Sequence, residues 1–249
     1  MCLIVFAYKA HPLYPFILLN NRDEFLSRST LALNYWEDHP NLLGGRDKLR
    51  GGTWLGLSGN RFSALTNYRK PFAEEDPMAA SRGELTKNYL LGSMSPESYV
   101  SSLIQSDEKY NGYNLLVGDE NELWCYSNVN DEALKIEPGI YGVSNYLFDT
   151  PWPKLELAKQ KFKTALGGDF STQDLVKIMQ NEQKFPDDEL PDTGIGIEWE
   201  RKLSSIFIKA DGYGTKSTSV ILKDNQGETT FVERSFDKEG GFEDKEVKF

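Results

Sequence analysis

The feature that most constrains the fold is the apolar run at the start of the chain, from Cys2 to Tyr8. Its apolar residues fall on both faces of a strand, which is typical of a strand covered above and below by other layers. The segment 9–15 contains two prolines and cannot continue that strand. A second apolar run follows over residues 16–20. The simplest arrangement is an antiparallel hairpin.

The expected register of this hairpin places a cysteine beside charged residues. If the turn is centred near Pro12, paired positions sum to about 24, and Cys2 then lies opposite Arg22 to within about two residues. The motif Asn21-Arg22-Asp23-Glu24 closes the second strand. We therefore expect the thiol of Cys2 to lie beside Arg22 and Asp23, either as a functional site or as a solvated charge cluster at a strand end.

The composition favours one domain and disfavours several classes of partner. A chain of 249 residues with 39% hydrophobic residues can bury one sizeable core, so we expect a single domain over residues 1–236 and a charged tail over 237–249. The 28 basic and 38 acidic residues give a net charge of −10, which argues against nucleic acid or an anionic membrane as a partner. That balance still leaves room for a local basic pocket and a small anionic ligand.

Cysteine usage and the lack of long apolar runs indicate the compartment. The two cysteines, Cys2 and Cys125, form no disulfide framework and no zinc-binding spacing, so we predict a reducing compartment and no metal site. Cys125 lies inside a strand-like run and is expected to be a buried core thiol. No leader resembles a signal peptide, and no window reaches the roughly 20 apolar residues of a membrane-spanning helix. We expect a cytoplasmic protein without a transmembrane segment.

Secondary-structure signals in the first half of the chain indicate strands and then two helices. Residues 25–39 are mixed and are predicted to be irregular or to contain a short helix, whereas apolar runs separated by glycines up to Asn67 indicate hairpins. Ser81-Arg82-Gly83-Glu84 has the Ser-x-x-Glu pattern of a capping box, and Ser95-Pro96 opens a second helix. Short β-prone runs follow between residues 113 and 145.

The second half of the chain adds two helices and a last group of strands. The acidic segment 181–200, rich in proline and glycine, is expected to be a surface loop that serves as a lid or as a simple connector. The whole order predicts an α+β fold, a four-layer αββα sandwich of two mainly antiparallel sheets. The predicted elements are helices from Thr150 to about Leu166 and from Ser171 to about Met179, and strands over Leu203–Lys209, Thr215–Leu222 and Glu228–Phe236.

Five side chains outside the hairpin are candidates for ligand binding. Arg46 and Arg50 adjoin glycine pairs whose main chain could form nests for a phosphate or a propionate, or simply tight turns. Arg82 could hold an anionic group as well as starting a helix. Trp54 and Tyr68 could line an apolar pocket or belong to the core.

The two histidines, His11 and His39, both adjoin proline in predicted loops. Either is a candidate axial ligand for haem, although loop histidines are usually solvated and the Cys-x-x-Cys-His attachment motif does not occur. We therefore expect no required cofactor, with haem entering only as a candidate ligand. Neither the phosphate-loop signature nor the dinucleotide fingerprint is found.

Motifs spread from residue 1 to about residue 236 resemble those of one family. They are Met1-Cys2, Asn21-Arg22-Asp23-Glu24, Gly51-Gly52-Thr53-Trp54-Leu55-Gly56, Ala64-Leu65-Thr66-Asn67-Tyr68, Arg82-Gly83-Glu84-Leu85, Tyr141-Gly142-Val143-Ser144-Asn145, Pro151-Trp152, Gly212-Tyr213-Gly214-Thr215 and Glu233-Arg234-Ser235. In this order and spacing they resemble the NRDE family, also called the Transport and Golgi organisation protein 2 family. The resemblance covers nearly the whole chain.

The resemblance implies the αββα fold of N-terminal-nucleophile hydrolases, which bile-salt and penicillin V amidases share. It implies that Cys2 is the nucleophile, exposed by removal of Met1, and that its α-amine acts as general base. Arg22 and Asp23 would then tune the thiol and the amine, with Arg22 favouring the thiolate.

Two asparagines acquire an expected role from the same resemblance. Asn67 and Asn145 each end an apolar run, and in amidases of this fold two asparagines in comparable order support the nucleophile and the oxyanion. Both are also ordinary choices for a turn at a strand end.

Two functions from different classes follow. The first is a cysteine N-terminal-nucleophile hydrolase that acts on a small amide or acyl compound. The second is a non-catalytic carrier that binds haem or acyl-CoA in the same cleft, because animal relatives are connected with haem trafficking and with lipid or acyl-CoA metabolism. A structural role in membrane organisation has less support, since the sequence contains no amphipathic or lipidated element.

Overall fold

Two antiparallel sheets and five α-helices make up the part of the chain that the computed structural model describes, residues 2–69, 75–237 and 239–249. The strands are β1 (Cys2–Tyr8), β2 (Phe16–Phe25), β3 (Thr30–Tyr35), β4 (Leu42–Asp47), β5 (Leu55–Ser58), β6 (Arg61–Asn67), β7 (Tyr113–Gly118), β8 (Leu123–Ser127), β9 (Glu132–Lys135), β10 (Gly139–Val143), β11 (Lys209–Ala210), β12 (Tyr213–Lys223), β13 (Thr229–Phe236) and β14 (Phe242–Lys248). The helices are α1 (Arg82–Leu91), α2 (Pro96–Ile104), α3 (Pro153–Leu166), α4 (Thr172–Met179) and α5 (Ile197–Leu203).

The N-terminal hairpin lies inside the first sheet, whose order is β10-β1-β2-β12-β13-β14, with the short β11 paired to β12. In the hairpin Cys2 pairs with Arg22 and Tyr8 pairs with Phe16. The register predicted from the position of the turn is therefore confirmed. At the charged end of the hairpin, Arg22 pairs with Cys2 of β1 on one side and with Ser217 of β12 on the other, so it is held between two strands.

The second sheet is a meander in which β3 to β9 pair in sequence order. Its central pair, β6 and β7, places Ala64 opposite Leu116 and Asn67 opposite Tyr113. The short turns of a meander suit the glycine-separated runs of the sequence. This sheet supplies the second wall of the site through β4, β6 and the connection after β4.

The core between the sheets joins the inward faces of both. Cys2, Ile4 and Phe6 share one face of β1 and belong to the same buried cluster as Leu43 and Leu116 of the second sheet. Successive strand residues point to opposite faces, so this inner cluster accounts for half of the residues of β1. Phe6 is fully buried and is in ring contact with residues of three other segments.

Helices cover the two outer faces of the sheet pair. Leu3 and Val5 of β1 pack with Leu155 and Phe162 of α3 in a second buried cluster. On the far side, residues of β4 and β7 form a third cluster, which includes Tyr89 of α1. The layers are therefore helix, sheet, sheet and helix, and the predicted four-layer αββα sandwich is confirmed.

Two edge strands lie where the sequence predicted irregular or tail structure. Residues 25–39 contain β3, and the 237–249 segment contains β14, which pairs with β13. Edge strands bury few side chains: in β3 only Leu33 is buried, and β14 is exposed or half-buried throughout. The sequence of β14 shows no apolar alternation, whereas in β3 Leu31, Leu33 and Tyr35 alternate with smaller residues but only Leu33 is buried. Both strands are held by main-chain pairing at a sheet edge.

The region after α4 also differs from expectation. The segment 181–200, predicted to be a loop, contains a short 3-10 turn and the first residues of α5, and the strand predicted from Leu203 begins only at Lys209. Glu200, on α5, is buried and paired with Arg69. Tertiary pairing of a buried charge thus stabilises a helix that local sequence does not indicate.

The predicted capping box at the start of α1 is only partly correct. Ser81 occupies the N-cap position, but its side chain makes no capping hydrogen bond, and the Glu84 carboxylate pairs with Lys87. At α4 the box is complete, with Ser171 and Asp174 each bonding the other's main chain. The start of α1 is instead placed by contacts with the β4–β5 connection.

Candidate active site

Cys2 lies at the base of a cleft of about 310 Å³ at one end of the sheet pair. The cleft is walled by β1 and β2, by the β4–β5 connection, by the end of β6 and by residues 75–83 at the start of α1. Cys2 is 6% exposed, so only a small part of its surface is accessible from the cleft. Of the residues predicted from sequence, the lining includes Cys2, Arg22, Asp23, Arg50, Trp54, Asn67 and Arg82.

Burial has the largest effect on the pKa of the Cys2 thiol. Burial raises the pKa of Cys2, and the nearby carboxyl groups of Asp23 and Glu24 act in the same direction, whereas Arg22 opposes them. The expected effect of Arg22 on the thiolate therefore has the correct sign but is smaller than the burial effect. A resting thiolate is disfavoured, so attack by this sulfur requires a base that removes the proton as the bond forms.

Arg22 presents a buried hydrogen-bond donor in the cleft. Its Nη2 donates to Asp47 Oδ2 at 3.3 Å and lies 3.8 Å from Glu24 Oε2, and its guanidinium stacks 4.4 Å from the Trp54 ring centroid. Its Nη1 is buried and has no hydrogen-bond partner among the described residues. An arginine donor held rigidly in this way is suited to an oxygen of a bound ligand.

Asp23 lies next to the Cys2–Arg22 pair and faces β12. Its Oδ1 accepts a hydrogen bond of 2.6 Å from Thr215 Oγ1. Burial raises the pKa of Asp23, while Lys154 opposes that shift. Lys154, at the start of α3, is itself buried, and burial lowers the pKa of Lys154 to about 8. Its Nζ donates to the Leu203 carbonyl at 3.0 Å.

The partner predicted for Asp23, the α-amine set free by removal of Met1, involves a residue outside the described part of the chain. What the described residues establish is that Asp23 is 1% exposed and adjoins Cys2 through the hairpin register. The role of the amine therefore stays a prediction.

The two asparagines are joined to each other, and only one faces the cleft. Asn67 lines the cleft, whereas Asn145 is fully buried and donates from Nδ2 to the Asn67 carbonyl oxygen at 3.0 Å. The Arg69 main-chain N–H in turn donates to the Asn145 carbonyl at 2.8 Å. Asn145 thereby fixes the end of β6, where Asn67 lies on the cleft wall.

The approach of α1 to the cleft depends on two glycines. A Cβ on Gly52 would lie 2.5 Å from the Gly83 carbonyl carbon and 2.6 Å from its oxygen, so the two main chains touch. The Thr53 N–H donates to the Gly83 carbonyl at 3.2 Å. Arg82 is fixed by donation to the Gly112 carbonyl at 3.1 Å and by Glu75 at 2.9 Å.

Two predicted ligand-binding residues do not reach the cleft. Arg46 donates from both terminal nitrogens to Asp38, at 2.8 and 2.9 Å, and stacks on Trp36. Tyr68 stacks on Tyr146, and burial with the neighbouring tyrosine raises the pKa of Tyr68 to about 12. Both residues have structural partners here, and neither lines the cleft.

Two charged residues of the cleft wall, Arg28 and Asp47, were not predicted from the sequence. Asp47 accepts hydrogen bonds from Arg28 at 2.6 Å and from Arg22, and Glu24 lies 3.5 Å from Arg28. Strand alternation could have indicated Asp47 from the sequence, because Arg46 and Asp47 are neighbours on β4 and their side chains point to opposite faces. Asp47 therefore faces this cleft, whereas Arg46 lies on the other face of β4.

Replacing Asp47 with asparagine is expected to make the cleft wall less stable at neutral pH. Burial alone would raise the pKa of Asp47, but hydrogen bonds from Arg28 and from the Arg50 and Leu49 main chain outweigh it and lower the pKa below its usual value. Such a carboxyl contributes stability above its unfolded pKa, about 3.9, and loses it as the pH falls through the folded value. We expect Asp47→Asn to reduce the free energy of unfolding by about 1.5–3 kcal/mol at pH 7.

Urea unfolding at neutral and at acid pH measures this effect. The difference between Asp47→Asn and the natural chain should begin to shrink below about pH 4, where the carboxyl of the unfolded chain protonates, and should be lost as the pH falls through the lower pKa of the folded carboxyl. A difference that stays constant with pH would show that the charge of Asp47 is not the source.

The fold and the cleft define an αββα protein with Cys2, the first residue of β1, in a charged cleft between its sheets. Comparison with known proteins identifies its family. The family model for Transport and Golgi organisation 2 matches residues 1–238. The chain therefore belongs to the Transport and Golgi organisation 2 family, and the resemblance seen in its motifs is confirmed.

Curated relatives match over almost their full lengths. The chain is 34% identical to the Transport and Golgi organization 2 homolog of Mus musculus, over 94% of this chain and 93% of the relative. It is 35% identical to the Homo sapiens homolog, over the same shares. The Transport and Golgi organization protein 2 of Drosophila melanogaster is 29% identical, over 94% of this chain and 92% of the relative.

The described residues offer neither a membrane-spanning helix nor a cluster of metal ligands. None of the helices there is both long and apolar enough to cross a bilayer. Within residues 2–69, 75–237 and 239–249, no three or more histidine, cysteine, aspartate or glutamate side chains are grouped so as to hold a metal ion.

Proposed function

We propose that the protein is a cysteine-dependent hydrolase of small amides or acyl compounds. The observation that carries this proposal is the pairing of Cys2 with Arg22 at the base of a cleft, where Arg22 Nη1 is a buried donor without a partner among the described residues. A sulfur and a buried donor without a partner, side by side on one wall, are two of the groups that acyl transfer uses.

In the proposed reaction the Cys2 sulfur attacks the carbonyl carbon of the substrate. The α-amine of Cys2, free once Met1 is removed, takes the thiol proton and gives it to the leaving amine as the carbon–nitrogen bond breaks. Water then cleaves the thioester, which releases the acid and restores the thiol. Arg22 Nη1 and the Asn67 amide are the donors for the oxyanion, and Asp23 orients the amine.

The dimensions and lining of the cleft favour a small, polar substrate. About 310 Å³ is at the lower end of the usual range for ligand pockets, roughly 300–1,000 Å³. Charged side chains from Arg28, Arg50, Arg82 and Asp47 form much of its wall. An amide with a polar acyl or amine part suits this lining better than a long acyl chain.

A panel of fluorogenic amides, each with a small polar acyl group, tests the proposal. The purified full chain should release the amine from at least one member, and intact-mass analysis under rapid quench should find the acyl group on Cys2. If no member is turned over and no acyl adduct forms, the hydrolase proposal fails.

A second candidate, a non-catalytic carrier of haem or acyl-CoA, is favoured by the burial that raises the pKa of Cys2. A thiol that stays protonated is a poor nucleophile, which is consistent with a cleft that binds a ligand and catalyses no reaction. For haem, neither histidine lines the cleft, and His11 Nδ1 accepts hydrogen bonds from the Leu13 and Tyr14 main chain. The carrier predicts a haem- or acyl-CoA-dependent rise in melting temperature that survives Cys2→Ala.

We also propose that the protein acts in the cytoplasm. The basis is chemical: Cys2 and Cys125 are both free and buried, which fits a reducing compartment. Fractionation of cells that express the tagged chain should recover it with cytoplasmic markers, and recovery with sealed vesicles would contradict this location.

A further inference from the structure

A second cavity, of about 480 Å³, lies on the other side of Trp54 from the Cys2 cleft. It is bounded by residues 26–32, which lead into β3, and by side chains of β12 and β13, and Trp54 lines both spaces. None of the mechanistic residues proposed above, Cys2, Arg22, Asp23 or Asn67, lines this second cavity.

Three polar side chains on its wall are more than nine-tenths buried: Trp54 is 8% exposed, Ser217 5% and Glu233 2%. Trp54 Nε1 and Ser217 Oγ have no hydrogen-bond partner among the described residues. Buried polar groups are normally paired, so two enclosed groups without a partner beside a cavity indicate a place for a polar ligand or ordered water.

Glu233 adds a carboxyl group with spare hydrogen-bonding capacity. Its Oε1 accepts from the Leu33 N–H at 2.8 Å and from Ser235 Oγ at 3.3 Å. No salt bridge to Glu233 is present within the described ranges. A carboxyl in this position can accept from a ligand hydroxyl through Oε2, or donate to one when protonated.

The charges on the wall disfavour ligands with a net charge. Lys48 and Lys216 line the cavity together with Glu233, so an anion meets the carboxyl and a cation meets the ammonium groups. Lys216 Nζ is held by the Leu26 and Arg28 carbonyl oxygens, which fixes its position. A neutral ligand is therefore the best match to this wall.

Hydroxyl groups and an aromatic ring complete the lining. Ser27, Ser29, Thr30 and Ser235 add hydroxyls, and Phe236 adds an apolar ring. Hydroxyls and a carboxyl that exchange hydrogen bonds, next to rings that cover C–H faces, suit a ligand with many hydroxyls. We propose that this cavity binds a neutral polyhydroxylated group, that is, a sugar or a polyol.

Ligand-observed NMR and calorimetry with glycerol, glucose and myo-inositol test the proposal on the full chain. At least one probe should bind the natural protein, and Ser217→Val and Glu233→Gln should each weaken that binding by about tenfold. Ser219→Val is the matched control: Ser219 is also on β12, is fully buried with an unpartnered Oγ, and does not line the cavity. It should leave binding unchanged.

The results separate the polyol site from the proposed hydrolase and include two that would overturn the polyol site. Binding that survives Cys2→Ala separates this site from the proposed hydrolase, so each proposal can fail without the other. Binding of none of the three probes would mean that the cavity holds water only and would overturn the proposal. Preference for inorganic phosphate or alanine over the polyols would also overturn it. If Ser217→Val does not fold, as judged by circular dichroism, the proposal is tested by whether the nearly isosteric Glu233→Gln weakens binding of the probe.

Discussion

Replacing Cys2 with alanine is expected to abolish amide hydrolysis, with a loss in kcat of about 10⁴-fold or more. The proposed reaction passes through a thioester on this sulfur, and alanine offers no nucleophile. The substitution removes one atom at the base of the cleft and leaves the β1–β2 pairing intact, so the fold should be kept. Steady-state kinetics on the best amide of the panel, with circular dichroism to verify folding, measure the effect.

The matched control is Cys125→Ala, which removes the other thiol of the chain. Cys125 is 2% exposed on β8, in the core between the sheets, and does not line the cleft. Burial raises the pKa of Cys125 to about 12, so it is inert as a nucleophile. Full activity should remain in this variant. Equal activity in Cys2→Ala and in Cys125→Ala would remove Cys2 from the mechanism.

Gly52→Ala is expected to reduce kcat/KM by about 100-fold, because a shift of about 1 Å in a positioning wall can have an effect of that size. The added Cβ would lie 2.5 Å from the Gly83 carbonyl carbon, which is main chain and cannot rotate away. The start of α1, with Arg82, must then move from the cleft. Overpacking of this kind also lowers the free energy of unfolding by about 1–3 kcal/mol.

Gly168→Ala is the control for the loss of a glycine as such. A Cβ at Gly168 meets nothing within 4 Å, so neither activity nor stability should fall. The measurements are kcat/KM and urea unfolding of both variants. Unchanged activity in Gly52→Ala would show that the position of α1 against the β4–β5 connection does not matter for the reaction.

The N-terminal hairpin shows what the sequence could predict about this site. Its strands are adjacent in sequence and joined by one turn, so the position of Pro12 was enough to place Cys2 opposite Arg22. The alternation of helix pairs and strand groups likewise predicted the layers, because buried strands need covering elements on both faces.

The rest of the cleft could not be predicted because it depends on contacts between segments far apart in sequence. Asp47 reaches Arg22 only because β4 of one sheet lies over β2 of the other, and Gly83 reaches Gly52 through the placement of α1. Asn145 was predicted beside the oxyanion, which stays a prediction, and its bond from Nδ2 to the Asn67 carbonyl joins residues 78 apart in the chain. No local pattern distinguishes a residue that contacts a ligand from one that holds its neighbour.

The state of the N-terminus tests the central claim most directly. Intact-mass analysis of the full chain made with normal N-terminal processing, combined with timed alkylation by iodoacetamide, reports both the fate of Met1 and the reactivity of Cys2. The hydrolase predicts a mass lower by one methionine residue and alkylation of Cys2 well ahead of the buried Cys125. Quantitative retention of Met1, with Cys2 no more reactive than Cys125, would contradict it.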